Sequence, residues 1–453
     1  MMSEAALVKG KLLAHARIPL YGNGYALVVS SIVSSALGLL YWALAARLYS
    51  AENVGLNAAT ISAMMFLAGF AQLNLMSALM RFIPESGRQA GRFILITYGV
   101  AIVVGAVASV VFGRLIGLVA PELGPIGESP TLLVWFATAT MAWCVFVLED
   151  SAITGLRQTR WVPISNAGFS IAKIVLLIAL ATTFPVYGVF ASWTIALAAS
   201  VVLTNLLLFA RLVPRHDAVV AIPTKPLSAR TISRFVFTDY LGSLCWLACT
   251  TLLPIVVAGA AGVRATAYFY LAWQIGYGLH MVSINMGYSL VVEGSTDPKQ
   301  LATYSKRLVL LNMRIIAPAA IGVAIGAPYI MGLFGADYAA AGSNLLRLLA
   351  VAAVPYSVVS VYISVVRVQR RVRRAAAVLA VMCVLVLALS EVLLRSLGLA
   401  GVGVAWLVTQ TALAAFVMLF ELRPIWSAAS SIETREREER TRVPELVGVR
   451  HGD

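Results

Sequence analysis

The sequence predicts an all-α polytopic membrane protein with about twelve transmembrane helices in two six-helix lobes. Three observations predict it: an apolar excess, long uninterrupted apolar runs, and basic residues gathered in alternate loops. Apolar residues make up 60% of the 453 positions and charged residues 12%. Soluble domains sit nearer half and a quarter, so much of this surface must face something other than water. A hydrocarbon core takes about 20 apolar residues per helix, and only helices or closed barrels satisfy the backbone inside it. The runs are continuous rather than alternating, which excludes a barrel.

The elements follow in order. Residues 1–24 form a cytoplasmic N-terminal segment with Lys9, Lys11, His15 and Arg17 and no apolar core of signal-peptide length. Positions 5–20 read as a short amphipathic helix on the inner leaflet. The first lobe, 25–211, holds spans at 25–48, 56–80, 93–119, 131–149, 161–182 and 189–211. A cytoplasmic linker covers 212–234. The second lobe, 235–422, holds spans at 235–259, 266–292, 308–333, 345–366, 375–396 and 401–422. A cytoplasmic tail, 423–453, closes the chain, and its alternating charges at 431–442 read as a solvated segment.

The basic residues set the direction. Of the 34 Lys and Arg, the outer side receives Arg47, Arg114, Arg264, Arg347 and Arg395, and Lys173 and Arg314 fall within spans. All the others fall on one side if both termini are cytoplasmic. That asymmetry is a strong positive-inside signal. It also explains the net charge of +14 through anionic lipid headgroups, so nucleic acid is not an expected partner. The four cysteines all lie in apolar runs without the ligand spacing of a zinc site. No metal and no cofactor is expected.

The halves repeat. Gln158-Thr159-Arg160 precedes one span and Gln369-Arg370-Arg371 another; each is followed by Gly-to-Trp stretches, Gly188 to Trp193 and Gly401 to Trp406. Aligning the two glutamines leaves their distances to the glycines unequal by two residues. Six spans is an even number, so the repeat is parallel, a transporter architecture with the site at the interface of the repeats.

Several stretches carry a resemblance. Ala45-Ala46-Arg47-Leu48-Tyr49-Ser50-Ala51-Glu52-Asn53-Val54-Gly55-Leu56 is similar to the A-R-x-L-x-P-E-x-Y-G stretch of polysaccharide-export flippases, with Ser50 and Val54 replacing Pro and Tyr. Leu79 to Glu85 resembles their second-helix exit. Leu333-Phe334-Gly335-Ala336-Asp337-Tyr338-Ala339-Ala340-Ala341 resembles their L-F-G-x-x-Y-x-x-A loop, and the basic run 367–374 with Gly401 to Ala405 resembles their last loop and helix entry. The chain thus resembles, over nearly its whole length, the oligosaccharide-lipid flippases of the multidrug/oligosaccharidyl-lipid/polysaccharide exporter superfamily. The resemblance implies two lobes with alternating access, a lipid-linked oligosaccharide of the polyprenyl-pyrophosphate type as substrate, a bacterial inner membrane, and a polysaccharide polymerase or other envelope-assembly protein as partner.

Catalytic motifs are absent: there is no Walker A, HExxH or GxSxG pattern, so no enzyme is expected. What remains is charge inside the membrane. A Lys or Arg at mid-span costs about 2.5–3.5 kcal/mol on insertion scales, which points to a role. Lys173, Arg314 and Arg47 are the candidate substrate-binding residues, because a pyrophosphate carries about two negative charges and a cation at 4 Å is worth about 4 kcal/mol at an effective dielectric near 20. Gln72, Asn74, Asn166, Gln274, Asn285 and Gln410 are available to sugar hydroxyls. Asp239 and Glu391 are the candidate ion-coupling residues, whereas Glu149 and Asp150 read as interfacial. Pro254 is the candidate hinge in span seven; Pro318 and Pro328 read as interruptions of span nine. The rivals are a multidrug exporter, whose cavity for cations is expected to be acidic, a non-transporting envelope-assembly scaffold, and, last, a glycosyltransferase, which would need long outer loops.

Overall fold

The computed structural model describes residues 36–219, 240–297 and 300–427. These are overwhelmingly helical, with no strand among them. Ten helices are long and apolar enough to cross a bilayer. One, Tyr240–Thr296, is 57 residues long and is broken at Leu252 and again at Gly262 (φ 85°, ψ 165°), so it contains two spans. Ala36–Leu48, shorter and apolar, is the described part of the first span. All twelve expected spans therefore have helical counterparts. The N-terminal segment 1–24, linker residues 220–234, Asp239 and the tail from 428 lie outside the described residues.

Local chemistry sets the ends. Ser50 caps Ala51–Ala71, its hydroxyl accepting from the Asn53 amide at 3.3 Å. Ser129 caps Pro130–Gly155 in the same way, with Pro130 in the first turn, where its missing N–H is no loss. Span two departs from expectation. Leu73 (φ 47°) and Asn74 (φ 61°) are left-handed and split it into Ala51–Ala71 and Leu75–Phe82. The fourth helix also runs past its expected end at 149 to Gly155. Pro318 and Pro328 do not interrupt span nine: Leu301–Gly332 is one helix through both, as happens when neighbouring groups re-satisfy the freed carbonyls. Pro254 does mark a break. The preceding helix ends at Thr251, and Pro254 sits in the first turn of Leu253–Thr296.

By packing, the residues divide into two compact units. Among the described residues, the first comprises those up to Leu271 plus Gly332–Tyr338; the second comprises those from Ala272 to Met331 and from Ala339 onward. Counting spans puts the lobe boundary at the linker 212–234, whereas residues 240–271 pack with the first unit. Two glycines permit close helix contacts. A Cβ on Gly55 would collide with the carbonyl oxygen of Val263, and one on Gly401 with that of Leu393.

The repeat is more regular than its sequence alignment. In the first half the Leu156, Arg157 and Gln158 amides donate to Ala152, Thr154 and Ile153; in the second, Gln369, Arg370 and Arg371 donate to Val365, Arg367 and Val366. This is the same helix-ending turn twice, with a left-handed residue at Arg157 (φ 58°) and Arg370 (φ 57°). The register therefore pairs Arg157 with Arg370, and the same constant offset pairs Gly188 with Gly401 and Trp193 with Trp406. Pairing Gln158 with Gln369, as the sequence alone suggests, is two residues out of register; the chemical likeness of the glutamines misleads where backbone conformation does not. Both arginines are exposed, and a left-handed non-glycine costs about 1–2 kcal/mol. Arg370→Gly is accordingly expected to stabilise by up to about 1 kcal/mol, read as a higher melting temperature in detergent. A lower one would show that the guanidinium holds contacts worth more than the strain.

Candidate functional site

Lys173 lies on the helix Trp161–Leu180 and is 5% exposed. Its Nζ sits 4.0 Å from the ring centroid of Trp193, 4.9 Å from that of Tyr41 and 5.0 Å from that of Phe169. Phe169 is one turn back on the same helix, Trp193 comes from Gly188–Leu207, and Tyr41 from Ala36–Leu48. Outside this nest Trp42 stands 4.6 Å from Tyr270, and Trp143 stacks on Phe146 at 5.3 Å. The Tyr41 hydroxyl donates to the Val189 carbonyl at 2.9 Å and lies 2.9 Å from the Ser192 hydroxyl, which fixes the ring.

A buried ammonium carries an effective penalty of several kcal/mol. Each ring face returns about 0.5–2 kcal/mol, so three rings offset much of it. They leave three N–H donors with no hydrogen-bond or carboxylate partner among the described residues. Lys173 is thus neither turned to lipid nor locked to an acid. It is, however, enclosed, and does not stand in an open cleft as the sequence reading has it. At the repeat-equivalent positions of the second unit Val386 replaces Lys173 and Met382 replaces Phe169. There Trp406 Nε1 donates to His280 Nε2 at 2.9 Å, and His280 Nδ1 lies 3.0 Å from the Gly276 carbonyl. Only the first unit holds a cation at this place.

The other expected residues are not brought to Lys173. Arg47 is exposed and donates to the carbonyls of Leu333 (2.8 Å) and Gly332 (3.5 Å), which end the helix Leu301–Gly332. Beside it Arg264 bridges Glu52 (3.5 Å) and Asp337 (3.3 Å), and Tyr268 meets Tyr338 edge-on at 4.9 Å. The flippase-like stretch 45–56 and the part 333–338 of the second such stretch therefore meet in the first unit, and Arg47 serves that junction. Arg314 is exposed on Leu301–Gly332. Glu391 accepts from Arg395 at 2.6 Å, one turn on. Of the amides, Asn166 donates to Asp150 and Gln410 to the Met382 sulfur, so both tie helices together.

The sequence reading missed a second buried group. Glu149, read as interfacial, is fully buried, and its Oε2 accepts from Asn205 Nδ2 at 2.7 Å. Asp150 Oδ2 accepts from Asn166 Nδ2 at 3.0 Å. The signal available was two amides alone in apolar spans. A groove of about 280 Å³ lies nearby between Trp161–Leu180 and Gly188–Leu207, lined by Phe169, Ala172, Ala196 and the hydroxyls of Ser165, Ser200 and Thr204.

Three solved structures carry the same architecture. An inward-facing multidrug resistance MATE family transporter of the MOP superfamily matches at TM-score 0.66 and 15% identity, over 88% of this chain and 96% of that one. The lipid II flippase MurJ in an inward closed conformation matches at 0.65 and 12%, over 94% and 93%. The chain shares the fold of these two proteins. A MATE protein in complex with MaL6 matches at 0.64 and 15%, over 90% and 96%. No family model and no curated protein matches the sequence. The shared fold is that of a multi-pass membrane protein with about twelve transmembrane helices in two lobes. The known transporters of this fold carry chemically unlike cargo, a multidrug transporter and a lipid II flippase among them, so cargo has to be argued from side chains.

Proposed function

We propose that this protein flips a lipid-linked oligosaccharide of the polyprenyl-pyrophosphate type from the inner to the outer leaflet of a bacterial inner membrane, for cell-surface polysaccharide biosynthesis. The observation that carries this reading is Lys173, a buried ammonium held by ring faces and left without a carboxylate. An anionic headgroup supplies the missing counter-charge, and aromatic faces suit a sugar. The gathering of Lys and Arg in alternate loops supports cytoplasmic termini. Each negative charge carried outward gains about 2.3 kcal/mol per 100 mV, so the membrane potential favours the direction. A polymerase or other envelope-assembly protein would receive the product.

A second reading, extrusion of organic cations, is favoured by the buried carboxylate of Glu149. One assay separates the two. Proteoliposomes holding a fluorescent polyprenyl-pyrophosphate glycolipid are expected to move it to the far leaflet, as read by quenching, while efflux of a lipophilic cation stays at the protein-free rate. The opposite pattern would establish the multidrug reading. Neither activity, with a deletion strain free of trapped glycolipid, would leave the scaffold.

A further inference from the structure

A pocket of about 340 Å³ opens in the second unit between the end of Leu253–Thr296 and the start of Leu301–Gly332. Each helix lends it one stripe. Met286, Leu290 and Glu293 face it from the first, and Tyr304, Arg307 and Leu311 from the second. Both sets step by three and four residues, the spacing of one helix face. Both also carry the same gradient. Glu293 and Arg307 stand toward the loop end with Tyr304, whereas Leu290, Met286 and Leu311 lie further into the spans. Met286 is about 10 Å deeper along the axis than Glu293. The loop joining these helices belongs to the basic, inner set, and a tyrosine at that depth turns its ring to lipid chains and its hydroxyl to water.

An acid and a base thus line one pocket, and they do not pair. Neither Glu293 nor Arg307 has a side-chain hydrogen bond or ion pair with any described residue, and the Tyr304 hydroxyl has no partner among them either. Elsewhere on the chain opposite charges that come near each other do bond: Arg264 with Glu52 and Asp337, Arg374 with Glu421, and Arg395 with Glu391. Lys306 is exposed and does not line the pocket, so the charges at its mouth cancel. A purely anionic headgroup on Arg307 would bring its charge against Glu293. A headgroup bearing both signs meets both residues. Its phosphate suits the guanidinium, whose fork matches phosphate oxygens in pairs, and its ammonium suits the carboxylate. A primary ammonium brings three N–H donors to that carboxylate, which a trimethylated one lacks. Tyr304 is placed to donate to a phosphate or ester oxygen, and the apolar steps inward fit an acyl chain.

We propose that Glu293, Arg307 and Tyr304 bind the zwitterionic, primary-amine headgroup of phosphatidylethanolamine, with an acyl chain laid against Leu290, Met286 and Leu311. The site is independent of the cargo, and its test reads binding rather than transport. The full chain in neutral detergent is melted with increasing phosphatidylethanolamine, phosphatidylcholine or phosphatidylglycerol of identical acyl chains. The midpoint is expected to rise saturably with phosphatidylethanolamine, half-saturating at a several-fold lower lipid fraction than with either of the others. Glu293→Gln is expected to remove the preference over phosphatidylcholine, and Arg307→Gln to weaken the response to all three lipids. Glu293→Lys, which makes the mouth doubly basic, is expected to move the preference to phosphatidylglycerol. Both positions are exposed, so these variants should fold; Tyr304→Phe, the mildest change, is expected to shift half-saturation several-fold. A wild-type midpoint that ignores the lipids, answers all three equally or answers phosphatidylglycerol best would overturn the site. So would a preference for phosphatidylethanolamine unchanged in Glu293→Gln and Arg307→Gln alike.

Discussion

Replacing Lys173 by Met is expected to abolish glycolipid translocation while leaving the protein folded. Met is close in length, so it fills the space among Tyr41, Phe169 and Trp193, and its sulfur packs well on aromatic rings. The variant loses cation–π contacts worth about 0.5–2 kcal/mol each but also loses the cost of burying a charge, so its melting temperature should stay near that of the wild type. Transport should fall steeply. An ammonium beside a phosphate is worth about 4 kcal/mol at an effective dielectric near 20, which corresponds to a loss of up to roughly a thousandfold. Leaflet-specific quenching in proteoliposomes measures it. A Lys173→Met protein that flips headgroups at the wild-type rate would remove this residue from the mechanism.

The second large effect is on stability. Gly55→Ala places a methyl group against the Val263 carbonyl and the Ala267 amide. Both are backbone atoms of a helix, so no side chain can swing away and one helix must shift. Overpacking of this kind costs about 1–3 kcal/mol, and the rigidity of the obstacle argues for the upper end. Gly99→Ala is the internal control: nothing lies within 4 Å of a Cβ there, so it should gain about 0.5–1 kcal/mol from helix propensity alone. Thermal melts of the two variants in the same detergent should move in opposite directions. Equal shifts would mean that the contact at Gly55 relaxes without cost. The result bears on the flippase-like stretch too, since it supplies a physical reason for a glycine at its end.

The spans were legible because the bilayer fixes length and polarity, and a run such as 93–119 has no other reading. Their irregularities were hidden. Leu73 turns left-handed with none of the Gly or Asn signals of its own, and the fourth helix continues past Glu149 because Asn205 and Asn166 shelter the two acids from helices that come later in the chain. Lys173 stood out as a cation with no acid at helical spacing. Its rings did not, since Tyr41 and Trp193 reach it only through tertiary packing. Arg47 and Glu391 were singled out for charge alone, and the structure spends that charge on a helix end and on Arg395. Asp239 lies outside the described residues.

The constant spacing between the two helix-ending turns and the two tryptophans has a practical corollary. Because Arg157 to Trp193 and Arg370 to Trp406 are the same length, either stretch can be spliced into the other's place without adding or deleting a residue. A transplant of the first into the second would carry a duplicate lysine and its phenylalanine beside Trp406 and His280, building a chimera in which both halves bear a cation. Whether two such halves cooperate or interfere becomes a question that ordinary cloning can ask.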